Sequence, residues 1–239
     1  MTTPRYGIAR VLSKRGVCSR TEAARRVQEG RVQVNGRVVT NPECPCQPER
    51  DRILMDGQPL ASLAKVYLAL NKPRGLVTTT SDEKGRATVY SLLSESGLGW
   101  LAPVGRLDKA SEGLLLFSND PAWAAGITDP ERGPEKTYHV QIDALPSDEL
   151  IAHLLRGVHE EGEFLKATSV SVLRQGQRNA WLEVTLDEGR NRHIRRLLGA
   201  FDIAVLRLVR VAIGEVSLGA LPKAQWRLLS AEEVTALSR

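Results

Sequence analysis

Apolar residues near the start of the chain recur at the spacing of a helix. Ile8, Val11 and Leu12 share one helical face, which predicts a short helix that ends at Gly16. A second helix is predicted from about Arg20 to Glu29, because the apolar residues again share one face and a glycine follows.

Ser19 and Glu22 have the pattern of a capping box at the start of this second helix. The Ser19 hydroxyl is expected to accept the Glu22 amide, and the Glu22 side chain to reach back to the Ser19 amide. Apolar and polar residues then alternate from Val32 to Val39 around Asn35-Gly36, a pair that readily takes the positive φ angles of a tight turn. The pattern predicts two helices and a β-hairpin, with a further turn at Asp56-Gly57.

Alternation at strand spacing dominates the rest of the chain. Helices are predicted at about Val89–Leu93, at Asp148–Arg156 and after Ser230, where Ser230 and Glu233 form another capping box. Strands are predicted at Val66–Leu70, Leu76–Thr80, Thr137–Ile142, Thr168–Leu173, Ala180–Leu186 and Trp226–Leu229. Strands outnumber helices and lack regular helical crossovers. We therefore expect an α+β fold, with a small N-terminal αβ domain and then a mixed, mostly antiparallel sheet flanked by helices.

The net charge of +5 is concentrated at the start of the chain. Residues 1–60 carry 11 Lys and Arg against 6 Asp and Glu, an excess equal to the charge of the whole chain. A basic module joined to a neutral body favours a polyanionic partner. The charge asymmetry ends near residue 62, so two domains are predicted, at residues 1–62 and 63–239.

The sequence carries no marks of secretion or membrane insertion. No run of 18 apolar residues occurs, and the N-terminal residues lack the apolar segment of a signal peptide. The three cysteines argue against a disulfide framework, and Cys44-Pro45-Cys46 supplies at most two metal ligands. We expect a cytoplasmic monomer that binds no metal and does not enter a membrane.

One carboxylate lies in a turn between two apolar segments. Trp100–Val104 leads into a turn that contains Asp108, and Leu114–Phe117 leads away from it. A carboxylate between buried strands is unfavourable unless it is paired or used chemically. Asp108 is therefore a candidate for catalysis, and a turn cap or an ion pair with an arginine is the structural alternative.

Two later segments could complete a site around Asp108. Tyr138 shares a strand face with apolar residues, a position that by itself fits the core better than catalysis. Arg195 lies beside the apolar stripe of a helix, where a guanidinium could hold a buried carboxylate ionised. The neighbouring Arg190, Arg192 and Arg196 fit surface ion pairs or phosphate contacts.

The pattern Ser-Arg-x-Glu-Ala from Ser19, followed by Gly-Arg-Val-x-Val-Asn-Gly from Gly30, resembles the S4-type RNA-binding domain over residues 5–60. The resemblance implies binding to structured RNA that is read mostly by its shape. The alternative is that these charges only solvate a helical face. The candidate RNA contacts are Arg10, Lys14, Ser19, Arg20, Arg25, Arg31 and Asn35.

In order and spacing, the segments around Asp108, Tyr138 and Arg195 resemble the RsuA-like branch of ribosomal RNA pseudouridine synthases. The resemblance implies a pseudouridine-synthase-type sheet and an enzyme that isomerises uridine without a cofactor. By resemblance, Asp108 is the nucleophile, Tyr138 stacks on the target base and Arg195 pairs with Asp108. Arg106 resembles the side chain that takes the place of the flipped uridine.

Further substrate contacts are expected from the segment before and within the Arg195 helix, at Arg190, Arg192, His193 and Arg196. The family usually has Gln in place of His193, so activity could depend on pH near 6.5. The expected partner is ribosomal RNA or a ribosomal subunit precursor. The alternatives are an assembly factor that binds RNA without chemistry, and a glycoside hydrolase pairing Asp108 with Glu112, which is more simply a solvated turn residue.

Overall fold

The computed structural model describes residues 5–60, 64–80 and 84–238, which fall into two compact units. The first unit comprises residues 1–67, 96–102 and 117–121, and the second comprises residues 68–95, 103–116 and 122–239. The predicted boundary between residues 62 and 63 lies outside the described residues.

The first unit contains the predicted helix pair and hairpin. Its elements are β1 (Tyr6–Gly7), α1 (Ile8–Lys14), α2 (Arg20–Gln28), β2 (Val32–Val34), β3 (Arg37–Val39), β4 (Pro45–Cys46), β5 (Ile53–Met55) and β6 (Gln58–Pro59). The strands form a four-stranded sheet in the order β3-β2-β5-β6 and a separate β1-β4 pair. Both predicted turns are confirmed by positive φ angles at Asn35, Gly36, Asp56 and Gly57.

The capping box predicted for α2 is half correct. The Ser19 hydroxyl accepts the Glu22 amide at 3.1 Å, as expected. The Glu22 carboxylate, however, accepts hydrogen bonds from Arg25 and Arg26 with its two oxygens. Two arginines within one turn attract this carboxylate more strongly than a neutral amide does.

The rest of the chain forms one large sheet and several short helices. The strands are β7 (Tyr67–Lys72), β8 (Ala102–Val104), β9 (Glu112–Ser118), β10 (Lys136–Ile142), β11 (Val158–Glu160), β12 (Glu163–Leu165), β13 (Ser169–Gln175), β14 (Ala180–Leu186), β15 (Val205–Ile213), β16 (Val216–Ser217) and β17 (Trp226–Leu228). The helices are α3 (Pro121–Thr128), α4 (Asp148–Arg156), α5 (His193–Gly199) and α6 (Ala231–Ala236), with a 3-10 helix at Val89–Leu92.

The large sheet is mixed and mostly antiparallel, which confirms the predicted fold class. Its strand order is β13-β14-β10-β15-β9-β7-β17, with β16 beside β15 and β8 beside β9. Strands β15 and β9 run parallel, whereas β10 pairs with β14 and with β15 in the antiparallel direction.

Burial along the central strands explains where a site can form. In β10 and β14 every second residue is buried, so one face of the sheet packs inward and the other faces solvent. Strand β9 is buried along its whole length. The turn that holds Asp108 precedes β9 directly and is therefore attached to the most deeply buried strand.

Local predictions elsewhere had mixed outcomes. Helix α4 and the Ser230–Glu233 capping box of α6 are confirmed. The strand predicted at Leu76–Thr80 is wrong, because only Val77 forms a single bridge, to Thr88. Helix α3 and the β11-β12 hairpin were not predicted. No helix among the described residues is long and apolar enough to span a bilayer.

Candidate active site

A cavity of about 640 Å³ lies in the second unit beside the turn that holds Asp108. Its wall is formed by that turn, by strands β10 and β15, by the end of α3 and by the segment that leads into α5. The lining residues include Arg106, Asp108, Ser111, Asp129, Lys136, Tyr138, Glu188, Arg190, Arg192, His193, Leu208 and Arg210. Asp108 and Tyr138, predicted from distant parts of the sequence, thus line the same space.

Main-chain contacts hold the Asp108 turn in place. The Ser111 amide donates to the Asp108 carbonyl at 3.0 Å, which closes the turn. The Gly75 amide donates to the Lys109 carbonyl at 2.8 Å, and the Thr78 hydroxyl donates to the Leu107 carbonyl at 2.8 Å. The 73–80 segment, predicted in part as a strand, is instead the loop that supports this turn. The half-buried Asp108 side chain remains available to the cavity.

A fully buried lysine, Lys72, adds to this support. Its ammonium group donates to the Ser111 carbonyl at 2.8 Å and to the carbonyls of Asp108 and Pro73, each at 3.1 Å. Burial lowers the pKa of Lys72 to about 8, although the charges of Glu112 and Asp108 oppose the shift. Lys72 was not predicted as a site residue. Its position in alternation with Leu68 and Leu70 was the available signal for burial.

Tyr138 lies on the inward face of β10, only 8% exposed. It is directly opposite Arg210 of β15 in the strand pairing. Both side chains line the cavity. The ring is therefore held by the sheet next to the space that Asp108 faces.

Arg195 does not form the predicted direct ion pair with Asp108. Its Nη1 donates to the Val205 carbonyl at 2.9 Å, and Nε is buried without a hydrogen-bond partner among the described residues. Burial and the nearby charge of Arg192 lower the pKa of Arg195, whereas the charge of Asp108 raises it. The two groups thus interact through their charges, while the guanidinium donates its hydrogen bond to Val205.

The segment that leads into α5 presents arginines at the cavity wall. Arg190 lines the cavity while its Nε binds Glu188 at 2.7 Å. Arg192 is exposed, lines the cavity and has a φ of 50° as the residue that starts α5. Arg106 is also exposed and lines the cavity two residues before Asp108.

Arg196 is directed away from the cavity, contrary to the predicted substrate contact. It donates to the Glu160 carbonyl at 2.7 Å and pairs with Glu161 and Glu163 of the β11-β12 hairpin. Neither Arg195 nor Arg196 is among the residues that line the cavity.

His193 is a buried residue of the cavity wall. It is 3% exposed. Its Nδ1 lies 4.0 Å from the Glu188 carboxylate. Burial lowers the pKa of His193, whereas the charge of Glu188 and the backbone of Lys166 oppose this shift.

Glu112 is buried, not the solvated turn residue that the sequence suggested. Its side chain is 4% exposed and its carboxylate binds Arg207 at 2.8 Å and Lys223 at 2.7 Å. The hydrogen bond from Arg207 is the largest cause that lowers the pKa of Glu112 to about 2. A carboxylate held ionised by two cations is a poor general acid, which removes the glycoside hydrolase pairing with Asp108.

Replacing Glu112 by glutamine is expected to destabilise the protein at pH 7 but not at strongly acidic pH. The pKa falls from 4.5 when unfolded to about 2 when folded. The ion pair therefore contributes above pH 4.5, by about 3 kcal/mol from that shift, and loses its contribution between pH 4.5 and 2. Urea unfolding at pH 7 and pH 3 measures the difference, with the exposed Glu95→Gln as control. A constant difference at both pH values would contradict the ion-pair account.

In the first unit, the predicted RNA-binding residues fall into two groups. The side chains of the first group already have hydrogen-bond partners within the protein. Arg25 binds Glu22 and Glu29, and Arg31 binds Asp56 through two hydrogen bonds. Asn35 binds Asp51, and Ser19 caps α2. Arg20 is exposed and pairs with Glu43 at 3.2 Å.

Arg10 and Lys14 are the least constrained of these predicted contacts. Both are exposed, one helical turn apart on α1, and lie 5.1 and 5.0 Å from the centre of the Tyr6 ring. Neither has an acidic partner within 4.0 Å among the described residues. They are therefore free to bind phosphates.

Comparison with known proteins agrees with the class of protein that this fold and cavity define. The family model for RNA pseudouridylate synthases matches residues 66–200, and the S4 domain model matches residues 7–52. The chain belongs to the RNA pseudouridylate synthase family, and it is an isomerase with an RNA-binding S4 domain.

Individual relatives extend the similarity over nearly the whole chain. An uncharacterized RNA pseudouridine synthase of Aquifex aeolicus (strain VF5) is 36% identical over 96% of this chain and 92% of its own length. The ribosomal large subunit pseudouridine synthase B of Bacillus subtilis (strain 168) is 33% identical over 96% of this chain and 94% of its own. A crystal structure of a pseudouridylate synthase is 27% identical, with a TM-score of 0.68 over 97% of this chain and 99% of that one.

Proposed function

We propose that this enzyme converts a uridine of ribosomal RNA into pseudouridine, with Asp108 as the nucleophile. The observation that carries the proposal is the common cavity lined by Asp108, Tyr138 and Arg106 in a chain of the pseudouridine synthase family. The names of relatives such as the Bacillus subtilis enzyme favour ribosomal RNA, and the large subunit in particular, as the substrate.

The proposed reaction rearranges one nucleoside without a change of oxidation state. A carboxylate oxygen of Asp108 bonds to C1′ of the ribose while the C1′–N1 bond breaks and its electron pair moves to the base. The base then turns so that C5 faces C1′. The C5–C1′ bond forms as the Asp108–C1′ bond breaks, C5 loses its proton and N1 gains one, which restores the carboxylate.

The neighbouring residues supply positioning and charge. Tyr138 stacks on the target base, a role that fits a rigid, buried ring at the cavity wall. Arg106, exposed beside the cavity, takes the place that the flipped uridine leaves in the RNA and so offsets the free energy of unstacking. Arg195 is proposed to supply a positive charge near Asp108 without direct contact, since the charge of Asp108 raises the pKa of Arg195.

Arg190, Arg192 and His193 are proposed to contact the substrate where they line the cavity. Arg196 is proposed to position the segment instead, because its guanidinium binds the β11-β12 hairpin. We further propose that residues 1–62 anchor the RNA and residues 63–239 carry out the chemistry.

The anchoring role makes Arg10 and Lys14 the residues that set the salt dependence of RNA binding. We expect Arg10→Gln/Lys14→Gln to lower the slope of log affinity against log salt by about 1.5, because each lost phosphate contact removes about 0.7 to 0.9. Arg25→Gln/Arg31→Gln changes the net charge equally, but its arginines are held by acidic side chains. We expect it to change the slope much less. Equal slopes for the two variants, measured by titration at several salt concentrations, would contradict a phosphate-binding surface on α1.

Mapping pseudouridines in total ribosomal RNA tests the function itself. A strain without the protein should lack pseudouridine at one site or a few sites, and the wild-type chain should restore it while Asp108→Asn should not. If no ribosomal site changes, ribosomal RNA is not the substrate. If Asp108→Asn restores modification, Asp108 is not the nucleophile. A ribosome assembly factor without catalytic activity would instead show altered subunit profiles with an unchanged pseudouridine map.

A further inference from the structure

Two cationic side chains are buried on neighbouring strands of the sheet at the wall of the cavity. Lys136 of β10 is 8% exposed and Arg210 of β15 is 6% exposed, and both line the cavity. Arg210 is paired directly with Tyr138, and Lys136 is two residues from Tyr138 on the same strand face. Directly opposite residues in an antiparallel pair have Cα atoms about 4.5–5.5 Å apart. The two cations therefore flank Tyr138 at close range.

The hydrogen-bonding capacity of this pair is incompletely used. Arg210 Nε donates to the Leu114 carbonyl at 2.8 Å, but its Nη2 is buried without a partner among the described residues. Lys136 has no carboxylate within 4.0 Å in the described part of the chain. Burial lowers the pKa of Lys136, and the charge of Arg210 lowers it further, whereas the charge of Asp187 raises it.

Two like charges on one buried wall are unfavourable unless a ligand compensates them. The uridine of an RNA substrate offers phosphate oxygens and the base oxygens O2 and O4. A base stacked on Tyr138 would bring its own edge, rather than the phosphates, next to residues on the same strand face. A neutral base has only partial charge on these oxygens, but the base becomes an anion when it leaves C1′ with the electron pair of the broken bond.

We infer that Lys136 and Arg210 form an oxyanion site that binds O2 or O4 of the uracil ring and stabilises the anion formed when the C1′–N1 bond breaks. The inference rests on the proposed function. In this step the electron pair of the C1′–N1 bond moves into the uracil ring while Asp108 bonds to C1′, and no proton is transferred to the pair. The pair is pre-organised by the sheet, which is the condition for large electrostatic effects on a transition state.

The test separates RNA affinity from the chemical rate. For Lys136→Met, we expect the single-turnover rate of pseudouridine formation at saturating enzyme to fall about 100-fold or more, with RNA affinity changed less than threefold. Lys136→Arg, which keeps the charge, should recover much of the rate. Lys84→Met removes an exposed lysine and serves as the matched control. Thermal unfolding of each variant identifies any loss of folding.

A better leaving group distinguishes charge stabilisation from a structural defect. In RNA with 5-fluorouridine at the target position, the electron-withdrawing fluorine stabilises the departing base, so cleavage should depend less on Lys136. We therefore expect Lys136→Met to lose less of its rate of fluorouridine consumption than of its rate on uridine. Equal losses on both substrates would overturn the inference. Arg210→Lys, which keeps the charge but loses a forked donor, should give an intermediate loss on uridine.

The rates and RNA affinities of Lys136→Met and Asp108→Asn together distinguish the remaining possibilities. If Lys136→Met weakens RNA binding at an unchanged single-turnover rate, the pair binds a phosphate and the inference is wrong. If the rate is unchanged while Asp108→Asn is inactive, the inference fails but the proposed function stands. If Asp108→Asn keeps its activity, the proposed function fails first.

Discussion

Asp108→Asn is expected to reduce pseudouridine formation by roughly 10⁴-fold or more, with RNA affinity nearly unchanged. An amide has the shape of a carboxylate but is a poor nucleophile and carries no charge. The turn should keep its conformation, because Lys72 and Ser111 bind the Asp108 carbonyl and not its side chain. Single-turnover assays at saturating enzyme measure the rate, and equilibrium titration measures the affinity.

Asp143→Asn is the matched control for this substitution. Asp143 is exposed, and its Oδ1 accepts the Ala204 amide at 2.7 Å, a contact that an asparagine oxygen can keep. We expect this variant to retain its rate. An Asp108→Asn enzyme within tenfold of the wild-type rate would rule out covalent catalysis by Asp108. A loss of affinity that accounts for the whole defect would indicate a binding role instead.

Gly113→Ala is expected to lower the free energy of unfolding by about 3–5 kcal/mol, from overpacking and a strained backbone together. A Cβ at this position would lie 2.2 Å from the Arg210 carbonyl oxygen and 2.8 Å from its amide nitrogen. The φ angle of 100° is also one that alanine rarely adopts. Because Gly113 opposes Arg210 where the parallel strands β9 and β15 meet, neither backbone can yield without disturbing the sheet.

Substitutions at two other glycines separate the contribution of overpacking from that of backbone strain. Gly75 has a φ of 101°, but no atom lies within 4 Å of an added Cβ, so Gly75→Ala should show the backbone strain alone. Gly126 lies in helix α3 with equal space and an ordinary φ, and Gly126→Ala should be neutral or slightly stabilising. Urea unfolding of the three variants gives the comparison. If Gly113→Ala and Gly75→Ala lose equal stability, the close approach to Arg210 does not constrain the sheet.

The elements that the sequence predicts well are those set by local chemistry. The α4 boundaries, the Ser230–Glu233 box and the turn at Asn35-Gly36 each depend on a few neighbouring residues. Leu76–Thr80 has strand-like composition, but its amides and hydroxyls bind the Asp108 turn and the 87–89 segment instead of a neighbouring strand. Such long-range contacts cannot be derived from local composition.

The candidate site also combines features that depend on local sequence with features that depend on long-range contacts. The apolar segments on either side and the family resemblance single out Asp108, and both Asp108 and Tyr138 line the cavity. Lys136 and Arg210 were not predicted as site residues, because their burial depends on the strand pairing. Arg207, for which no role was predicted, binds Glu112. The alternation of Leu208 with Arg210 was the available signal that Arg210 lies on the inward face.

The ammonium group of Lys72 binds main-chain oxygens around position 108 and leaves the side chain there unconstrained. These hydrogen bonds therefore do not use the side chain at position 108. Cysteine or glutamate introduced at position 108 would be presented to the substrate on the same backbone. The chain is accordingly a suitable scaffold for comparing different nucleophiles in glycosidic bond cleavage without redesign of the surrounding structure.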